Sequence, residues 1–148
     1  MNSHFSLEEL LASGTASRLG INNYPDQAAM RNILLHLIPG LEKVRVILKA
    51  PMRINSGFRS PALNARIPGS SATSAHTLGY AADFVCPTFG TPWEVCNRLA
   101  GTLRVELDFD QIIYEYGAWI HISFDLRYRR LLTTKLAGQP YRSGLYKE

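Results

Sequence analysis

The chain is 148 residues long, 46% apolar and 19% charged, with a net charge of +4. That is the make-up of one soluble domain able to bury a core without disulfide support, and no apolar run nears the roughly 20 residues that a membrane-crossing helix needs. The charge is uneven: from Arg127 onward six basic residues (Arg127, Arg129, Arg130, Lys135, Arg142 and Lys147) face one acid, Glu148, leaving that segment at +5 and the remainder at −1.

In chain order, Ser6-Leu7-Glu8-Glu9 is a capping box and starts a short helix at Leu7. Gly14 and Gly20 punctuate a loop that contains Asn22-Asn23-Tyr24-Pro25. Asp26 caps a second helix, whose apolar stripe runs Met30, Ile33, Leu34, Leu37 and Ile38. Pro39-Gly40 predicts an interruption, after which Leu41, Val44, Ile47 and Leu48 resume the stripe as core. Arg53–Ser56 reads as a brief strand ending at Gly57, and residues 61–74 as a loop rich in Pro, Gly, Ser and Thr. Residues 81–86 form a buried strand. Thr91-Pro92-Trp93-Glu94 supplies cap, N1 proline and N3 glutamate for a helix to about Gly101. Gln111–Glu115 and residues 119–124 make a hairpin around Tyr116-Gly117-Ala118. Helices first and strands later predict a single α+β domain over residues 1–148, its helices packed on a small, mainly antiparallel sheet, with a basic C-terminal tail from about Arg127.

Chemistry concentrates in Ser74-Ala75-His76-Thr77-Leu78-Gly79-Tyr80-Ala81-Ala82-Asp83 and Trp119-Ile120-His121-Ile122-Ser123. His76, Asp83 and His121 offer two imidazoles and a carboxylate, which suit zinc and leave a fourth position for water. In the second phrase Trp119, His121 and Ser123 share one strand face, and Ile120, Ile122 and Phe124 the other, so His121 looks into a cleft while the apolar set packs on helices. His4 and His36 lie in a terminus and a helix stripe and carry no such role. Cys86 and Cys96 match neither a metal pair nor a disulfide framework and read as two half-buried thiols. Tyr128, Tyr141 and Tyr146 interleave the basic segment and would permit stacking on bases, but no nucleic-acid motif accompanies them, so the segment reads as a solvated basic surface.

Ser74-x-His76-x-x-Gly79-x-Ala81-x-Asp83 followed by Trp119-x-His121-x-Ser123 resembles the zinc D-Ala-D-Ala metallopeptidases, a group of carboxypeptidases, vancomycin-resistance dipeptidases and phage endolysin peptidases related in fold to the hedgehog signalling domain. The likeness is greatest to the small phage- or prophage-borne branch. It extends upstream through Phe5-Ser6-Leu7-Glu8-Glu9-Leu10, Asn23-x-Pro25 and Ser56-Gly57-Phe58-Arg59-Ser60-Pro61-x-Leu63-Asn64, and ends near Phe124.

The resemblance implies a Zn2+ site of His76, Asp83 and His121 acting on peptidoglycan stem peptides, either as a D-Ala-D-Ala carboxypeptidase or as an endopeptidase. It implies Arg59 as a guanidinium for a substrate carboxylate or the oxyanion, and Ser74 and Trp119 as cleft residues. Many relatives carry an acid three residues before the last ligand. Here that position is Ala118, so Glu115 is the expected general base, with Asp108 and Asp110 as its rivals. The expected protein is a monomer without membrane or nucleic-acid partners. It lacks a secretion signal at Met1-Asn2-Ser3-His4, is made in the cytoplasm, and reaches the wall after release or within a phage particle. Two other readings follow from the same residues. One is a metal-stabilised structural or wall-binding module whose catalysis has lapsed, suggested by Ala118. The other is a nucleic-acid-binding protein using the basic segment.

Overall fold

The computed structural model describes residues 3–106 and 108–148, with the backbone alone for 102–106. Its helices are α1 (Leu7–Leu11), α2 (Gly14–Leu19), α3 (Gln27–Asn32), α4 (Ile38–Leu48), α5 (Pro61–Asn64), α6 (Ala75–Leu78) and α7 (Pro92–Glu106). Its strands are β1 (Arg53–Ser56), β2 (Ala81–Val85), β3 (Gln111–Glu115), β4 (Trp119–Ser123), β5 (Leu131–Lys135) and β6 (Arg142–Ser143). They form one sheet in the order β1-β2-β4-β3-β5-β6, antiparallel except where β5 lies parallel to β3. The α+β architecture expected from the sequence is the one observed.

Apart from α4, which continues the preceding helix, the helices start where hydroxyl or carboxylate caps stand. Ser6 Oγ accepts from the Glu9 amide at 3.0 Å, and Asp26 Oδ1 from the Ala29 amide at 2.8 Å. Ser13 caps α2 in the same way, so a helical turn occupies what reads in sequence as a loop between Gly14 and Gly20. Pro39 does not break the second helix. Between α3 and α4 the chain widens into a π-helical turn, Ile33–Leu37, and this absorbs the proline's missing N–H and its bulk without ending the rod. Gly40 then lets α4 press on the sheet, for a Cβ there would meet the Phe124 ring at 2.5 Å. The helix begun at Pro92 runs past Gly101 to Glu106.

Alternation along the strands divides the sheet into two faces. Phe84, Ile112, Ile120 and Ile122 are fully buried under Leu37, Leu41, Val44, Val95 and Leu99. Burying a side chain of that size contributes about 1.5–3 kcal/mol, so this layer holds the opposite face in place. Both thiols sit within the core, more deeply than expected, and burial pushes Cys96 up to about 12, which leaves it inert. The segment from Arg127 is not a tail: it supplies β5 and β6, which extend the sheet beyond β3. Three of its six basic residues pair with acids among the described residues, Arg127 with Asp125, Arg129 with Asp110 and Arg130 with Asp108. Among the described residues no helix is long and apolar enough to cross a membrane.

Candidate metal centre

The face of the sheet away from the helices forms the floor of a groove. Asp83 on β2 stands directly opposite His121 on β4, and Ile113 on β3 follows in the same cross-strand row. His76 enters from α6, a single turn whose placement depends on its two ends. Ser74 Oγ accepts from the His76 amide at 3.2 Å, and Gly79 ends the turn with φ +82°. At Gly79 a Cβ would also lie 2.5 Å from the Ala29 carbonyl oxygen, so glycine is required there on two counts.

His76 Nε2, Asp83 Oδ1 and His121 Nδ1 converge. The carboxylate oxygen lies 3.2 Å from the first nitrogen and 3.0 Å from the second, and the three donor atoms fall within 4.8 Å of one another. The opposite nitrogen of His76, Nδ1, lies 2.7 Å from the Gly57 carbonyl oxygen. A carbonyl only accepts, so Nδ1 carries the proton, and the neutral ring directs its Nε2 lone pair at the carboxylate. Burial holds the His76 pKa below its ordinary value in spite of the attraction of Asp83, which favours that neutral form. Burial also opposes ionisation of Asp83, but charge and hydrogen bonding within the trio outweigh it and keep the group a carboxylate, His121 Nδ1 at 3.0 Å being the donor left once the His76 proton is on Nδ1. Two acceptor lone pairs facing across 3.2 Å call for a cation between them. The donor set therefore fits a divalent metal, and the Gly57 carbonyl orients one ligand from behind.

Arg59 flanks the trio. Its Nη2 is 3.7 Å from Asp83 Oδ2, while Nε donates to Ser56 Oγ at 3.3 Å and Nη1 to Asn64 Oδ1 at 3.1 Å. The loop carrying it is braced by Asn23, whose side chain accepts from the Ser60 amide and donates to the Leu11 and Phe58 carbonyls. Asn64 is itself fixed by donating to the Ser71 carbonyl at 2.8 Å. Sequence reasoning missed these supporting roles of Asn23, Asn64 and the Gly57 carbonyl. All three stand in the phrases that carried the resemblance, which was the available signal.

Glu115 lines the same groove, opposite Trp119 in the β3–β4 register. Burial raises its pKa and the Asp83 charge adds to the rise, against the pull of His121, Arg59 and Lys135. Ser74 and Trp119 are groove residues too. The Trp119 ring lies 5.3 Å from that of Tyr116, and its buried Nε1 has no hydrogen-bond partner among the described residues. The two rival acids are engaged elsewhere: Asp110 accepts from Arg129 at 2.8 and 2.9 Å, and Asp108 from Arg130 at 2.7 Å. Ala118 closes the β3–β4 turn with its amide on the Glu115 carbonyl and lines a separate hollow with Arg53 and Pro87.

The family model for Peptidase M15 matches residues 3–123. This chain belongs to the Peptidase M15 family. The match takes in every member of the trio, Arg59 and Glu115, and it bears out the metallopeptidase resemblance carried by the two metal phrases. No curated protein matches the sequence. Membership and the His-Asp-His group together make this a metallopeptidase-type domain with a peptide as its substrate class.

Proposed function

We propose that this M15 domain is a zinc endopeptidase acting on peptidoglycan stem peptides, with His76, Asp83 and His121 as metal ligands, Glu115 as general base and Arg59 as the oxyanion partner. The observation that carries the reading is the convergence of two imidazole nitrogens on one carboxylate oxygen in a buried, groove-facing row. Nitrogen and oxygen donors in a set of three suit zinc with a position left for solvent. When bound, zinc would acidify water toward neutral pH and polarise the scissile carbonyl.

The protein's own groups supply the rest. Glu115 takes the proton of the attacking water and returns it to the departing amine, a role suited to a carboxyl whose pKa burial has raised. Arg59, held at three points, presents a pre-oriented guanidinium to the negative charge that develops on the carbonyl oxygen. Ser74 and Trp119 wall the groove beside the trio.

Cleavage inside a chain is favoured over removal of a terminal residue by the shape of the groove. From the Trp119–Glu115 pair to the Ser123–Gln111 pair is four residue steps along β4, roughly 13 Å, with the His121 row midway. A hollow of about 590 Å³ covers that length. It accommodates about four residues of extended peptide, with occupied positions on both sides of the metal row. The setting supported by the resemblance is a phage- or prophage-borne wall-lytic protein.

Metal analysis of the purified protein, combined with mass spectrometry of digested peptidoglycan before and after chelation, tests the proposal. The expected result is bound zinc and chelator-sensitive release of multi-residue fragments. Release of terminal D-Ala alone would replace the endopeptidase assignment with a carboxypeptidase one. Bound metal with no hydrolysis of any wall peptide would instead favour the lapsed module.

A further inference from the structure

The row of side chains that carries Glu115 does not stop at β3. Trp119 on β4 pairs with Glu115, Glu115 pairs with Lys135 on the parallel strand β5, and the Lys135 ammonium sits 5.6 Å from the centre of the Tyr141 ring. Tyr141 thus closes a four-membered row across the groove, and it comes from the turn joining β5 to β6, beyond the last residue of the family match. That turn is fixed in place. Gly138 takes φ +71°, the Gln139 amide donates to the Leu136 carbonyl at 3.1 Å, and Lys135 Nζ donates to the Gln139 carbonyl.

We propose that Tyr141 is a substrate-binding residue, its ring packing on an extended peptide in the groove and its hydroxyl donating to a main-chain carbonyl at the Glu115 end. Three observations carry this. Tyr141 lines the groove while 58% of its surface remains open. Among the described residues no hydrogen bond engages its hydroxyl, so the donor is free for a ligand. The hydroxyl also remains a donor at any pH of interest, because burial and the nearby Glu115 and Asp83 carboxylates raise its pKa. A rigid aromatic ring with one polar handle gives broad contact at low entropic cost, which suits a peptide main chain regardless of its side chains.

The inference rests on the peptide-groove reading above, and its test separates the two. Zinc-loaded Glu115→Gln protein is titrated calorimetrically with the stem pentapeptide, L-Ala, γ-linked D-Glu, L-Lys or diaminopimelate, D-Ala, D-Ala, so that binding is read without turnover. Adding Tyr141→Phe should weaken binding about fivefold, the worth of one hydrogen bond. Tyr141→Ala should weaken it about thirtyfold, as loss of an aromatic contact that the ligand covers does. In protein that retains Glu115 the same substitutions should raise KM by similar factors and leave kcat unchanged, a split that a merely structural role would not give. If the parental protein hydrolyses nothing yet Tyr141→Ala still weakens binding, the hydrolase assignment fails and this one stands. Equal affinities with and without the Tyr141→Ala substitution, or no binding of the pentapeptide, would overturn it.

Discussion

Asp83 and Asp110 are both nearly fully buried and both line the groove, yet they are built for different work. Asp110 takes the Arg129 amide, Nε and Nη2 at 2.8–3.0 Å and lies 3.7 Å from Arg127 Nη2. Those partners are permanent cations in a planar fork, so the carboxylate is satisfied as it stands. Asp83 instead meets two imidazoles, one of which has its proton committed to the Gly57 carbonyl. The first arrangement is complete and pins the β4–β5 connection to the start of β3. The second is suited to a cation at its centre. Which base partners a buried carboxylate thus separates a strut from a candidate metal site.

The widest gap between the two should appear when each is broken. Replacing His76, Asp83 or His121 by alanine is expected to remove bound metal and reduce peptide hydrolysis to background, and the variants' melting temperature should no longer respond to chelator. Asp110→Asn should keep its metal. Elemental analysis and thermal melts with and without chelator read both sides, and an alanine variant of the trio that retains stoichiometric metal would refute the ligand assignment. Glu115→Gln sharpens the contrast from within the groove. It should keep metal and fold but lose turnover by about 10²–10⁴-fold, the usual contribution of a positioned general base. Hydrolysis at the parental rate would return the base role to another group.

Gly79→Ala tests the frame of the metal site. A left-handed φ costs an L-residue about 1–2 kcal/mol, and the new methyl would also press on the Ala29 carbonyl oxygen at 2.5 Å. A fall in the urea midpoint beyond that backbone cost, with weaker metal retention because His76 sits in the displaced turn, is the expected outcome. Unchanged stability would mean that α6 relaxes freely.

The same contrast bears on what the sequence discloses. The trio was legible because its two phrases resemble those of the metallopeptidases, and because strand alternation turns His121 away from Ile120 and Ile122. That the two stand directly opposite one another was not, since register between strands 38 positions apart leaves no local trace. The Asp110 strut was missed for a related reason: Arg127 and Arg129 read as solvated charge until β5 docks beside β3 and brings them to the carboxylate. Leu131–Lys135 has neither a clean alternation nor turn residues of hairpin type, and parallel pairing depends on a distant strand. Single turns such as α5 and α6 are too short for helical periodicity to register.

Asp110→Asn carries the smallest expected effect and shows its origin through pH. Burial raises the Asp110 carboxyl pKa, but the hydrogen bonds from Arg129 and the charges of Arg129 and Arg127 outweigh it and hold the group below its ordinary value. A depressed folded-state pKa contributes stability that is present above the unfolded value of about 3.9 and is lost as pH falls through the folded one. The variant should therefore lie about 1–3 kcal/mol below the parent at neutral pH, where a charged acceptor has been lost. The gap should narrow as both proteins are acidified below about pH 4, because the parent then surrenders the same interaction. Urea melts at neutral and acidic pH measure it. A difference that is constant with pH would assign the contribution of Asp110 to packing rather than to its charge.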